Sequence, residues 1–326
     1  MGKQAKPRSS VPDPGSAAKP IELHGRRLSL RLDGVADAPV FVLVNGLTQY
    51  AELWTAHREA LVARGFRVAT FDMFGQGRSD KPALFISQEE QVAALDAVIT
   101  ATGAPRVFVA GISFGGLIAL RHAIAHGERL HGLVAMSTFA NLSPQLRLLG
   151  TALLQGLALG GISYLQDLLL PMNLSDNWLG PRLERLDEVK RAGLVGNDLF
   201  ALQNLMESFL DFRSLVPDLG SIRCPTLILN GEYDFLTPRT LHEEIRLSIA
   251  DSELVIVPRA FHAFTLEQPT LTAALLAGFA HDVLKGDWRG TGRGGGRVGI
   301  ASEAAPGEIT PFPAGFDHLR AIPVPT

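Results

Sequence analysis

The chain has 326 residues, 46% hydrophobic and 19% charged, with a formal net charge of −3. That is enough apolar material for a large buried core in one domain with an insertion, or in two. The slightly acidic balance offers no basic surface of the kind a phosphate backbone requires, so nucleic acid is excluded as an expected partner. The single cysteine, Cys224, excludes an internal disulfide and a thiolate metal cluster.

Residues 1–20 are rich in Pro, Ser, Lys and Gly and are expected to form a disordered leader. Met1–Pro20 lacks the apolar h-region of a secretory signal, which makes the cytoplasm the expected compartment. Ile21–Leu32, broken at Gly25 and closed by Asp33-Gly34, predicts a hairpin of two strands. Val40–Val44 is a continuous apolar run, the mark of a strand covered on both faces, and it ends in the small-residue turn Asn45-Gly46-Leu47-Thr48. A helix is expected over Trp54–Arg64, a strand over Phe66–Asp72, a glycine-containing loop from Asp72 to Asp80, and a helix from Ser87 to Thr102. Further strands are expected at Val107–Ala110, Leu130–Ser137, Thr226–Asn230 and Leu254–Val257. Strands alternating with helices in this way imply one doubly wound, mostly parallel sheet with helices on both faces. In such sheets the working residues gather on loops at the carboxyl ends of the strands.

Between the two core segments, 21–137 and 222–285, the alternation stops. Residues 138–221 are leucine-rich and helical in pattern, which predicts an inserted helical cap. Leu148–Leu170 is apolar enough to raise a transmembrane span, but Gln155, Gln166 and Asp167 interrupt it, and a buried or groove-lining cap helix is the preferred reading. Gly156, Gly160 and Gly161 suit either a bend or a close helix contact there. Asn197–Phe212 places Leu199, Leu202, Leu205, Met206 and Phe209 on one face, predicting an amphipathic helix that closes the cap onto the body. The tail, 286–326, is rich in Gly and Pro and is expected to hold no regular structure, although Phe312, Phe316 and Leu319 could dock on the body. Cys224 precedes Pro225 at the start of a strand and reads as a buried structural thiol.

The chemistry-bearing stretch is Gly111-Ile112-Ser113-Phe114-Gly115, a Gly-x-Ser-x-Gly pattern between the strand Val107–Ala110 and a helix through Leu117–Ala123. In a chain with 33 glycines the pattern arises by chance roughly 0.2 times, so alone it reads as an ordinary serine in a glycine turn. Its setting between strand and helix makes Ser113 a candidate nucleophile, because a strained turn would expose the hydroxyl at the strand's carboxyl end. A serine attacks only when a base takes its proton. His262 lies in the loop just past the last strand, on the same sheet edge as Ser113. The remaining histidines, His24, His57, His122, His126, His131, His242, His281 and His318, read as surface or packing residues. The base in turn needs a carboxylate, and the loop Asn230-Gly231-Glu232-Tyr233-Asp234 supplies two. Asp234 is preferred because it stands far enough past Gly231 to swing over the edge, with Glu232 as the competing acid. The backbone amides of Leu47 and Phe114 are placed to receive negative charge on a substrate oxygen.

Over Ile21–Lys285 the chain resembles the α/β-hydrolase superfamily, in its serine esterase and lactonase-like branch. Ala110-Gly111-Ile112-Ser113-Phe114-Gly115-Gly116 is similar to that family's nucleophile turn, Asn45-Gly46-Leu47 to its oxyanion loop, and Asp72-x-x-Gly75-x-Gly77-x-Ser79 to a loop typical of the branch. Asn230-Gly231-Glu232-Tyr233-Asp234 and Phe261-His262 match the acid and base positions. One departure is Asn45, where many members carry His. The resemblance implies acyl transfer to water through an acyl-serine intermediate, with no metal and no organic cofactor, while the leucine-rich cap suggests an apolar acyl or alkyl group on a small-molecule substrate. Val44-Asn45-Gly46, Ser113-Phe114-Gly115-Gly116 and Asn230-Gly231-Glu232 are also similar to hydroxyacyl-transferring enzymes that make rhamnolipid precursors and polyester monomers. A third reading is a binding protein that keeps the fold without the chemistry. Oligomeric state is not legible in these residues.

Overall fold

The computed structural model describes residues 19–82, 85–290 and 298–300. Nine strands form one sheet in the order β1-β2-β4-β3-β5-β6-β7-β8-β9. β1 (Lys19–Leu23) and β2 (Arg26–Asp33) make the expected hairpin, turning at His24 (φ 51°) and Gly25 (φ 73°). β2 then pairs antiparallel with β4 (Arg67–Phe71). From β4 through β3 (Val40–Val44), β5 (Val107–Ile112), β6 (Leu130–Met136), β7 (Thr226–Gly231) and β8 (Ser252–Val257) every pairing is parallel.

The strands are apolar throughout because they are covered on both sides. Val40, Val42 and Val44 point into one buried cluster and Phe41 and Leu43 into another, the two-residue alternation of a strand applied to two cores. α2 (Gln88–Thr102) and α3 (Phe114–His126) supply the first cluster with Leu95, Val98, Leu117 and Leu120. α1 (Thr55–Ala63) supplies the second with Leu61, joined there by Leu275, Leu276 and Phe279 from the carboxyl-terminal helix. α2 begins on a reciprocal cap, Ser87 with Glu90, and stops at Gly103 in the left-handed region.

After β6 the chain leaves the sheet for a helical segment: α4 (Pro144–Asn173), α5 (Asp176–Leu179), α6 (Leu186–Gly196) and α7 (Leu199–Glu207). α4 is long and apolar enough to cross a membrane by length and composition, but it is broken at Gly161 (φ 67°, ψ −167°). A side chain at Gly156 or Gly160 would collide with Leu168 or Tyr164 from beyond the break, so the two halves of α4 fold back against each other. Bend and close contact therefore both occur. α7 is shorter than its sequence pattern suggests. It is capped by Asp198 at Ala201, and Leu199 lies outside the buried face that the pattern assigned it. Leu202 and Met206 pack with Leu157, Ile162 and Leu165 of α4, whereas Leu205 belongs to the main core.

The chain returns through α8 (Arg239–Ser248), α9 (Phe264–Glu267) and α10 (Pro269–Lys285). The tail departs from expectation. Trp288 packs edge-on against Phe279 and donates to Asp251, and β9 (Val298–Ile300) adds a parallel edge strand beside β8. The expected leader is likewise shortened, since β1 begins at Lys19. Residues 1–18 and the positions of Phe312, Phe316, His318 and Leu319 lie outside the described residues.

Cys224 is buried at the entrance to β7, and desolvation pushes its thiol up to about 12. The native protein should therefore leave an aromatic disulfide reagent unreacted, and one thiol per chain should appear in denaturant. Rapid labelling without denaturant would contradict this packing.

Candidate active site

Ser113 sits between β5 and α3 at φ 54° and ψ −119°, a conformation that costs an L residue roughly 1–3 kcal/mol. The surrounding contacts force it. A side-chain carbon at Gly111 would overlap the Gly115 carbonyl, and one at Gly115 would overlap the carbonyls of Val44 and Asn45. One at Gly116 would stand 2.6 Å from the Thr138 β-carbon. The turn is pinned by the Ser113 amide donating to Met136 O at 2.8 Å and by the Thr138 hydroxyl donating to Ser113 O at 2.7 Å. The Thr138 amide donates in turn to Nε2 of the buried His242 at 2.9 Å. Neither Thr138 nor His242 stands out in the sequence, because their roles lie in contacts with residues far along the chain.

His262 and Asp234 meet as the sequence places them. Nδ1 of His262 lies 2.9 Å from Asp234 Oδ2, and both side chains are buried. The carboxylate also accepts from the Thr237 amide and hydroxyl, each at 2.8 Å, and from Asn230 Nδ2 at 3.4 Å. Burial alone pushes the Asp234 carboxyl up, but the His262 charge and hydrogen bond, with the Thr237 amide, outweigh it and hold the group below the usual carboxylate range. Glu232 is exposed and accepts from the Arg259 amide at 2.7 Å, so it is committed to the turn before the histidine loop. Thr237 went unnoticed in the sequence, although an acid followed three residues later by threonine is a recognisable turn-capping pattern.

The turn after β3 is held by a buried polar cluster. Asn45 donates to Phe71 O at 2.9 Å and accepts from Trp54 Nε1 at 2.9 Å. Gln76 Nε2 donates to Gly46 O at 2.8 Å and Leu47 O at 3.1 Å, and its Oε1 accepts from Asn45. Asn45 and Gln76 have no solvent exposure at all. Among the described residues the amides of Leu47 and Phe114 have no hydrogen-bond acceptor. Phe114 opens α3, where first-turn amides lack a partner within the helix. Asn197, just past α6, reaches Thr48 O at 3.1 Å and ties the helical segment to this turn.

Two cavities meet at Ser113. One of about 300 Å³ is lined by Phe114, Phe139, Leu142, Leu146, Leu154 and Phe209, with Leu47 at its base. The other, about 90 Å³, holds His262 together with Gly46, Thr48, Gln49 and Asn173. Among the described residues no hydrogen bond joins Ser113 to His262, and such pairs tighten only when a reacting group seats between them. A serine hydroxyl, an imidazole fixed by a buried carboxylate and two amides without acceptors among the described residues are the parts that nucleophilic acyl transfer requires.

A family model described as Hydrolase_4, serine aminopeptidase S33, matches residues 36–269, more than half of the chain. The chain belongs to this α/β-hydrolase family. It is 28% identical over 260 residues to a protein of Escherichia coli O127:H6 named "Putative carbamate hydrolase RutD", covering 78% of this chain and 96% of the relative. Among solved structures it resembles MGS-M2, an α/β hydrolase from a Medee basin deep-sea metagenome library, with TM-score 0.74 and 25% identity over 80% of this chain and 96% of the other. A hydrolase from Pseudomonas aeruginosa PA01 gives TM-score 0.71 and 28% identity, covering 80% and 97% of the two chains. The protein is thus a hydrolase of the α/β fold.

Two expectations follow from the site's buried polar groups. Replacing Gln76 by Leu leaves the Gly46 and Leu47 carbonyls and the Asn45 amide short of partners, and should cost about 2 kcal/mol or more in denaturant unfolding. Stability unchanged in that variant would remove the cluster from the account of how the turn is held. Burial also pushes His242 and His57 from the ordinary 6.5 down to about 4, so both are neutral in the native state near pH 5 while the unfolded chain takes up protons. Their contribution is complete above about 6.5 and is lost as pH falls toward 4, by up to about 3 kcal/mol each. Urea midpoints should therefore be lower near pH 5 than near pH 7, and equal midpoints would count against this burial.

Proposed function

We propose that this enzyme is a serine hydrolase that cleaves a carboxylic ester, or a related acyl bond, carrying an apolar acyl or alkyl group through an acyl-serine intermediate. The observation that carries the reading is the 300 Å³ apolar cavity opening on Ser113, beside the buried pair of His262 and Asp234. Its walls are mainly apolar side chains, which suit a hydrocarbon acyl or alkyl group.

In this mechanism His262 Nε2 takes the hydroxyl proton as Ser113 Oγ bonds to the carbonyl carbon. The carbonyl electron pair moves to oxygen, where the amides of Leu47 and Phe114 receive it. As that pair returns, the bond to the leaving oxygen breaks and His262 gives it the proton. Water then attacks the acyl-serine with His262 as base, the acid departs, and the proton returns to Ser113. Asp234 keeps Nδ1 protonated and Nε2 free, and stabilises the imidazolium. Every proton is conserved among Ser113, His262, water and the leaving group, so the cycle uses neither metal nor organic cofactor.

A fluorophosphonate probe should label the wild-type chain and not Ser113→Ala, which should fold normally and lose ester turnover. Activity of that variant within tenfold of wild type would end the nucleophile assignment. Asp234→Asn should lower kcat by about 10³–10⁴ and Glu232→Gln by no more than a few-fold, because only Asp234 touches the imidazole. The reverse ranking would exchange the two acids. Rates on p-nitrophenyl esters should rise with acyl length until the cavity is full, set beside lactones, carbamates and a 3-hydroxyacyl thioester. Condensed or transferred product from the thioester would replace hydrolysis by acyl transfer.

A further inference from the structure

The smaller cavity has an owner for its chemistry. The base must stand beside the oxygen that departs, because that oxygen receives the proton from His262. His262 lines the 90 Å³ cavity and is absent from the lining of the 300 Å³ one, so on the reading above the acyl chain lies in the large space and the leaving group in the small one. It has less than a third of the volume of the large cavity, so the smaller part of the substrate fits there.

One residue that lines that cavity carries a buried acceptor without a partner among the described residues. Oδ1 of Asn173 is buried and, among the described residues, has no hydrogen-bond partner, although a buried carbonyl oxygen left unpaired costs about 1–3 kcal/mol. The residue is not loosely placed. Its backbone carbonyl accepts from the Ala263 amide at 2.9 Å, directly after the base. The next loop is fastened to the same place by Glu267, which takes the amides of both Phe261 and Ser175. Gln49, which lines the same cavity, spends its oxygen on the Gly46 amide at 2.9 Å. Asn173 is therefore tied to the loop that carries His262, with an acceptor that no described residue uses.

We propose that Asn173 is a specificity-determining residue that accepts a hydrogen bond from an O–H or N–H on a small leaving group, so that the preferred substrates are esters of short hydroxylated or amino alcohols. The inference rests on the hydrolase reading, and it concerns only which alcohol departs.

The test compares 2-hydroxyethyl hexanoate with propyl hexanoate, which differ by one terminal hydroxyl in place of a methyl group. In the wild type kcat/KM should favour the hydroxyethyl ester by about tenfold or more. In Asn173→Leu that ratio should collapse to within about twofold. The two esters form the same acyl-enzyme and share one deacylation rate constant, so the preference must appear in acylation, as a burst amplitude or kcat/KM effect. A general loss of folding would lower both rates together and leave their ratio intact. A wild-type ratio near one, or a tenfold preference that persists in Asn173→Leu, would overturn the assignment even with ester turnover established. Failure of both esters together with failure of the fluorophosphonate to label Ser113 would instead overturn the hydrolase reading, and this inference with it.

Discussion

The structure depends on one close approach, the start of α3 against the ends of β3 and β5. No side-chain carbon fits at Gly111 or Gly115, because backbone oxygens already occupy the space. The chain can turn from strand to helix there only by putting Ser113 at positive φ, and that conformation holds its side chain in the cleft. The same approach brings the unpaired amide at the head of α3 near the turn after β3. The half-buried Ser113 side chain and the Phe114 amide, which has no acceptor among the described residues, thus come from a single steric constraint, with the helix dipole behind them.

Around that contact the protein uses buried polar side chains to fix backbone that packing alone would leave adjustable. Asn45, Trp54 and Gln76 hold the turn carrying Leu47, while Thr138, backed by a neutral His242, holds the carbonyl of Ser113. Asp234 shares its oxygens among Thr237, Asn230 and His262. Each cluster has its partners in the fold, so it adds rigidity without leaving a charge or a carbonyl stranded. Asn173 differs from these clusters: among the described residues its buried Oδ1 has no partner, and the residue lines the cavity beside His262.

Much of this could be read along the chain. Apolar runs buried on both faces declare themselves locally, as in Val40–Val44, and Ser113, Asp234 and His262 all follow strand ends in a doubly wound sheet. What escaped has a common cause. Gln76, Thr138 and His242 look like ordinary polar residues until the fold supplies partners as far as 104 positions away. β9 was lost among glycines because three residues make a poor pattern alone, and an edge strand of that length draws its order from β8. Leu199 was assigned to a buried face by periodicity, but Asp198 caps the helix there and α7 starts with that leucine facing out.

The helical segment divides along the same line as the two cavities. Hydrogen bonds fasten it to the body beside Thr48 and beside His262, through Asn197, the Asn173 carbonyl and Glu267. Those attachments border the small cavity, where atoms must stand at hydrogen-bonding distance for a proton to move. The wall of the large cavity is built differently. Leu146, Leu154 and Phe209 contribute shape but no directional bond, and α4, broken at Gly161, rests on α7 through Leu157, Ile162 and Leu165. Leucines can be exchanged for other apolar side chains at modest cost when volume is kept, so that wall can change without disturbing Ser113. A change at the hydrogen-bonded end has no such freedom, because the contacts that hold the segment also position the loop carrying His262.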